Sequence, residues 1–203
     1  MRFHPAFGVV LALFLTGCGG DVPAPLKVKG TDVTHAAEFR TSVPRKLALT
    51  DHDGRQVTLD TFKGKVVVLF FGYTHCPDVC PTTLSDMSQA IKSLPPEDAG
   101  KIQVLFVTVD PERDTPDILK AYVPYFNPGF LGLYGSKEQV AQAAREFRVV
   151  YRKHVEPGAT DYLVDHSAGS YVLDTSGRLR VYLPFAMKPA DVAHDLAVLL
   201  KAL

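Results

Sequence analysis

Hydrophobic and polar positions change their spacing from segment to segment along this chain. Residues 66–71 form an unbroken apolar run closed by Gly72, and residues 102–109 form a second run interrupted only at Gln103 and Thr108. Valine-rich runs of this length predict strands buried on both faces, as in the middle of a parallel or mixed sheet. Between and after them the spacing turns helical. Leu84, Met87 and Ile91, continued by Leu94 just beyond, keep helical spacing along residues 82–93, a helix that Pro95-Pro96 ends. Thr115 and Pro116 suit an N-cap and a first helical position, opening a helix to about Tyr125 that Asn127-Pro128-Gly129 stops. Ser136 and Gln139 have capping-box spacing and open a helix to Phe147. Pro189 opens a last helix, with Val192, Leu196, Leu199 and Leu200 toward the core.

Shorter segments complete the order. Residues 46–50 and 56–60 alternate around Asp51-His52-Asp53-Gly54, and residues 169–174 and 178–183 flank Thr175-Ser176-Gly177, so each pair predicts a hairpin. Residues 149–155 predict a strand and residues 156–165 a loop. A hairpin, then β-α-β-α, then a hairpin and a helix predict an α/β fold. Its sheet is mixed, with helices on both faces. Residues 46–203 read as one domain, with no internal repeat.

The N-terminus reads differently. A short positive start leads into ten apolar residues, 6–15, too few to span a bilayer but suited to the core of a signal peptide. The run closes in Leu15-Thr16-Gly17-Cys18-Gly19, which resembles a bacterial lipobox. That resemblance implies cleavage after residue 17, lipidation of Cys18 and a membrane-anchored protein of the bacterial cell envelope, its domain outside the cytoplasm. Residues 18–45, of mixed small and polar character, read as a flexible tether.

Composition narrows the partners. Hydrophobic residues make up 46% of the 203, which fits a globular protein, and Lys+Arg and Asp+Glu both number 22. With no basic block, no nucleic-acid partner is expected. There are 3 cysteines. Assigning Cys18 to the anchor leaves Cys76 and Cys80 as a pair.

That pair directly follows the first buried strand, at the carboxyl end where α/β sheets tend to place their chemistry. Near a helix N-terminus both thiols are biased toward thiolate. One helical turn separates their Cα atoms by about 6 Å, so they can close to a disulfide or open to two metal ligands. Helix onset at Pro77 and at Pro81 are both compatible with the sequence. The element order, with cysteines after the first core strand, resembles the thioredoxin fold. In that fold the turn before the last hairpin lies beside the cysteines, and here the turn carries His166, making it the candidate third ligand. Asp165 or a backbone carbonyl could fix its ring. His52 in a turn, His35 in the tether, His194 in the last helix and His154 on a strand read as structural or solvated. His75 adjoins Cys76 but should point away from it.

Three segments extend the resemblance. Gly72-Tyr73-Thr74-His75-Cys76-Pro77-Asp78-Val79-Cys80-Pro81, Asp110-Pro111-Glu112-Arg113-Asp114-Thr115-Pro116 and Asp165-His166-Ser167 together resemble the Sco/SenC family, the copper chaperones for cytochrome c oxidase. The resemblance implies that Cys76, Cys80 and His166 bind copper. It also implies that the partner is the oxidase subunit carrying the dinuclear copper site, with other periplasmic copper or thiol-redox proteins as further partners. Two thiolates and an imidazole suit Cu(I), and Cu(II) also ranks high at such sites. The Asp110–Asp114 stretch is read as shaping the rim, with no ligand assigned, and Asp78 as capping the helix.

The main rival is a thiol–disulfide oxidoreductase keeping the cysteines of an oxidase subunit or another cuproprotein reduced, with Cys76 and Cys80 as its redox-active disulfide. Against it stand the CxxxC spacing and His166-Ser167 where such enzymes carry a proline. A peroxiredoxin would need proline and threonine where Leu69 and Tyr73 stand. A Cys2His zinc enzyme would need a general base that the sequence does not offer.

Overall fold

The computed structural model of the chain describes residues 25–36, 46–155, 157–158 and 161–202. The signal segment, Cys18 and the tether residues 18–24 and 37–45 lie outside the described residues.

In chain order the strands are β1 (Thr31–Asp32), β2 (Ala48–Asp51), β3 (Gln56–Thr58), β4 (Val66–Gly72), β5 (Ile102–Thr108), β6 (Leu131–Tyr134), β7 (Tyr151–His154), β8 (Leu163–His166), β9 (Ser170–Leu173) and β10 (Leu179–Leu183). The helices are α1 (Val79–Lys92), α2 (Pro96–Ala99), α3 (Pro116–Phe126), α4 (Lys137–Glu146) and α5 (Pro189–Lys201). Eight strands form one sheet in the order β1-β10-β9-β4-β5-β6-β2-β3, and β7 pairs with β8 alone.

The centre is parallel. β4 runs beside β5 from Val66↔Ile102 to Gly72↔Thr108, and β5 beside β6. β9 pairs antiparallel with β4 on the other side, so the sheet is mixed as expected. Every residue of β4 and β5 is buried, which explains why their sequences run apolar instead of alternating. Successive side chains of β4 serve opposite faces. Phe70 packs on Phe106, which meets Tyr122 of α3, whereas Phe71 packs on Phe147 just past α4. Helices therefore cover both faces.

Local signals placed most elements. The Thr115 hydroxyl accepts from the Ile118 amide with Pro116 in the first turn, and Ser136 with Gln139 completes both arms of the capping box. Both predicted hairpins form, as β2–β3 and β9–β10.

Four readings need correction. The helix after the cysteines starts at Val79, at neither proline candidate. Pro81 falls inside its first turn, where no amide has a helical partner to lose. β6 did not register in the sequence because it is four residues long and contains Gly132. The strand expected at 149–155 forms as β7, but the loop expected at 156–165 gives way to β8 from Leu163; the two pair as a ribbon separate from the main sheet, so His166 closes a strand and does not sit in a turn. Part of the expected tether docks, since β1 pairs with β10 and the amides of Lys29 and Gly30 donate to Asp195 of α5, each at 2.7 Å. A two-residue strand leaves no period to detect.

Candidate metal centre

β4 delivers the chain to the site and stops at Gly72 for a steric reason. A Cβ there would lie 2.7 Å from Cys80 Sγ and 2.9 Å from the Phe106 ring, so only glycine lets α1 seat its first turn against the strand end. The loop then bends, with the Cys76 amide donating to the Tyr73 carbonyl at 3.3 Å. Cys76 is half-buried in this loop and Cys80 fully buried in the first turn of α1; both are free thiols. The Cys80 amide donates to Cys76 Sγ at 3.4 Å, one use of the exposed N–H groups of a helix N-terminus.

His166 arrives from the other side on the β7–β8 ribbon, its register fixed by Tyr151↔His166. Its Nε2 stands 3.4 Å from Cys80 Sγ, while Nδ1 lies 3.1 Å from the Ser167 carbonyl oxygen. That carbonyl fixes the ring with Nε2 toward the sulfurs; Asp165 faces His154 at 3.2 Å. Phe70 and Tyr73 meet the imidazole edge to face, both at 6.0 Å between centroids. The donor atoms of Cys76, Cys80 and His166 all lie within 4.8 Å of one another.

The two thiols have opposite acidities. The Cys76 pKa is lowered to about 4, first by the hydrogen bond from the Cys80 thiol and then by His166 and the amides of Asp78 and Cys80, against the opposing effect of burial. Cys80 is pushed well above the ordinary thiol range by donating to Cys76, by burial and by the Cys76 charge. The resting pair therefore shares one proton, a thiolate at the rim and a thiol beneath.

The remaining expectations sort cleanly. His75 is exposed, with Nδ1 3.1 Å from the Thr74 hydroxyl, outside the donor group. Asp78 holds the N-cap position, but its carboxylate accepts from the Thr82 hydroxyl at 3.3 Å and no amide. His194 lies 2.9 Å from the Asp195 carboxylate through Nδ1. Of the two alternatives left for His52, the structural one holds: it is 8% exposed in its turn and its Nδ1 accepts from the Gly132 amide at 3.0 Å. Sequence reading also missed the roles of Arg113, Asp114 and Tyr162. For Arg113 and Asp114 the signal was the charged stretch 110–114 running directly from a buried strand, where unsolvated carboxylates need partners; Tyr162 carried none.

A family model described as SCO1/SenC matches residues 35–201. The chain belongs to the SCO1/SenC family. The mitochondrial SCO2 homolog of Bos taurus is 40% identical to this family member over 195 residues, spanning 92% of this chain and 72% of that protein. Among solved structures, Bradyrhizobium japonicum ScoI with copper bound has a TM-score of 0.71 at 38% identity, covering 78% of this chain and 100% of that one. Yeast Sco1 with copper bound has a TM-score of 0.72 at 32% identity, covering 80% and 91%. The thioredoxin-like fold expected from the sequence stands with these SCO1/SenC relatives.

The donor set of this SCO1/SenC member fits copper. Two sulfurs and an imidazole, with no carboxylate in the group, are soft donors that favour Cu(I). Loading a metal here must expel the proton that the pair shares.

Proposed function

We propose that this chain is a membrane-anchored copper metallochaperone. It holds copper through Cys76, Cys80 and His166 and delivers it to the copper centre of cytochrome c oxidase during assembly. The observation that carries this reading is the convergence of those three donors from two separate elements, with donor atoms within 4.8 Å. The copper-bound relatives support it. Cys80 and His166 are held from beneath and from the ribbon, while Cys76 stands at the rim. An acceptor's own soft ligand enters on the Cys76 side, forms its bond to copper before the Cys76 bond breaks, and the ion passes across without being released to water. Lipidation at Cys18 would hold the domain at the envelope membrane, outside the cytoplasm, where the oxidase subunit with the dinuclear site displays its ligands.

The experiment is titration of the reduced protein with Cu(I) and Cu(II). One copper should bind, and Cys76→Ser, Cys80→Ser and His166→Ala should each weaken it by roughly a hundredfold or more. Full affinity in His166→Ala would sink the three-donor site. In the source organism, loss of the gene should lower oxidase activity, with partial recovery on added copper. Unchanged activity at low copper would remove the assembly role.

One observation favours a second reading. A thiolate on the rim loop with a buried thiol in the first turn of α1 beneath it is the arrangement of a dithiol reductant. Cys76 attacks a partner disulfide, forming a mixed disulfide and expelling one partner thiolate. Cys80 gives up its proton, attacks Cys76 sulfur and expels the second partner thiol, so two electrons pass to the partner. Disulfide reduction surviving in His166→Ala with copper affinity unchanged favours this reading over the first.

A further inference from the structure

The stretch between β5 and α3 reaches in two directions. Asp114, fully buried, accepts from the Thr74 amide at 3.1 Å and from the hydroxyls of Thr74 and Thr108, each at 2.6 Å. It thereby fixes the loop two residues before Cys76. Asp110, also buried, accepts from the Tyr162 hydroxyl at 2.8 Å and from Arg113 Nε at 2.5 Å. The Arg113 guanidinium lies 3.7 Å from the Tyr162 ring centroid. Its Nη1 donates to the Tyr162 carbonyl at 2.9 Å and to the Asp161 carboxylate at 3.0 Å. Lys153 of β7 closes the set on Glu112 and on the Tyr162 hydroxyl, the latter at 3.1 Å.

Tyr162 immediately precedes β8, whose last residue is His166. The β7–β8 ribbon has no ladder to the main sheet among the described residues, so side chains decide how it sits over the cysteines. One contact is direct, between the Tyr73 phenol oxygen and the Val164 backbone. The others run through Arg113, through the Tyr162 hydroxyl on Asp110 and through Lys153 on Glu112. A planar guanidinium that stacks on a ring while bonding a carbonyl and two carboxylates holds orientation as well as distance, which an ammonium does not.

We propose that Arg113 and Tyr162 are positioning residues for His166, clamping the histidine ribbon to the element that already holds the cysteine loop. The clamp sets the histidine–cysteine separation and so the copper affinity. It rests on the reading of His166 as a copper donor. Neither residue belongs to the donor group.

The test uses the reduced full chain. Arg113→Lys keeps the charge and removes the fork; Tyr162→Phe keeps the ring and removes the hydroxyl. In metal-free protein, the nuclear Overhauser contacts between the His166 and Tyr73 rings should be lost in Arg113→Lys and weakened in Tyr162→Phe, while far-UV circular dichroism is unchanged. Cu(I) affinity, by competition with a chromophoric chelator, should fall about tenfold in Arg113→Lys, with a smaller loss in Tyr162→Phe. In a His166→Ala background Arg113→Lys should cost less than about twofold, because there is no histidine left to misplace. Equal losses in both backgrounds, or intact ring contacts and affinity in both variants, overturn the clamp. If His166→Ala alone leaves affinity intact, the donor reading fails, and the ring contacts still decide the clamp. Should Arg113→Lys fail to fold, Tyr162→Phe carries the same comparisons.

Discussion

Gly72 faces Cys80 so closely that one methyl group would displace the sulfur: a Cβ on Gly72 would stand 2.7 Å from Sγ. Nothing soft is available to give way, because the next neighbours are the rings of Phe106 and Phe70 at 2.9 and 3.1 Å. Gly72→Ala should therefore cost about 1–3 kcal/mol, the range for overpacking a filled core. Copper affinity should fall with it, since the first turn of α1 moves with the sulfur. Denaturant unfolding and Cu(I) competition measure the two effects. A variant with native stability and affinity would mean that α1 has freedom its burial does not suggest.

The Cys76 thiolate gives a pH prediction. Its pKa is lowered to about 4, so at neutral pH it is already deprotonated, and protonation sets in only as pH falls toward that value. Alkylation of metal-free protein by iodoacetamide should label Cys76 first, at a rate nearly flat from about pH 8 to about pH 5. Cys80, buried and held protonated, should lag. Cys80→Ala removes the largest contribution to the Cys76 shift, so the inflection should move upward in that variant. Mass-spectrometric mapping across pH reads both, and an inflection near the ordinary thiol value in the native protein would refute the shared-proton pair.

His52 makes the domain sensitive to mild acid. Burial lowers its pKa in the folded state, and the Asp53 and Asp51 charges oppose that shift without reversing it. The unfolded chain therefore binds the proton more readily, and stability present above about pH 6.5 should decline as pH falls below it. His52→Gln can retain an acceptor for the Gly132 amide while removing the titration. Thermal melts from about pH 7.5 to about pH 5.5 should show a shallower decline in that variant. A parallel decline would assign the acid loss to other groups.

Local signals are where sequence suffices. The CxxxC pair, His166 and the strand feeding them were legible because each is a local signal: a run, a spacing, a histidine at a boundary before a hairpin. His52 stayed open between structural and solvated because Asp-His-Asp-Gly is turn chemistry, and a turn says nothing about which side chain folds back onto Gly132. The ribbon was misread for a related reason. β7 is YRKH, a polar edge whose partner lies nine or more residues on, and strand pairing at that distance leaves no period in either segment. The clamp residues were visible as charges and invisible as contacts, because Arg113 reaches Asp161 across 48 positions of sequence.

The docked N-terminal segment yields the last prediction. Asp195 is fully buried, accepts the amides of Lys29 and Gly30, and lies beside β10, the strand on which β1 pairs. Gly30 fits only because it lacks a side chain, as a Cβ would lie 2.8 Å from the Tyr182 carbonyl oxygen. Asp195→Ala removes both acceptors and Gly30→Ala forces the strand away, so each should release the segment by a different route. Amide exchange over residues 29–33 should speed up at least tenfold, and stability should drop by about 1–3 kcal/mol in Asp195→Ala. The consequence concerns reach. With Cys18 as the lipid attachment, the seven residue steps from Cys18 to Pro25 extend at most about 25 Å, which would keep the docked domain close to the bilayer. Releasing the segment extends the covalent link to residue 46 and relaxes that limit. Copper transfer to a membrane-bound acceptor, followed on vesicles carrying the lipidated protein, should then change in rate in both variants while copper affinity in solution stays native. Native exchange at Lys29 and Gly30 in Asp195→Ala would show that β1 pairing alone holds the segment.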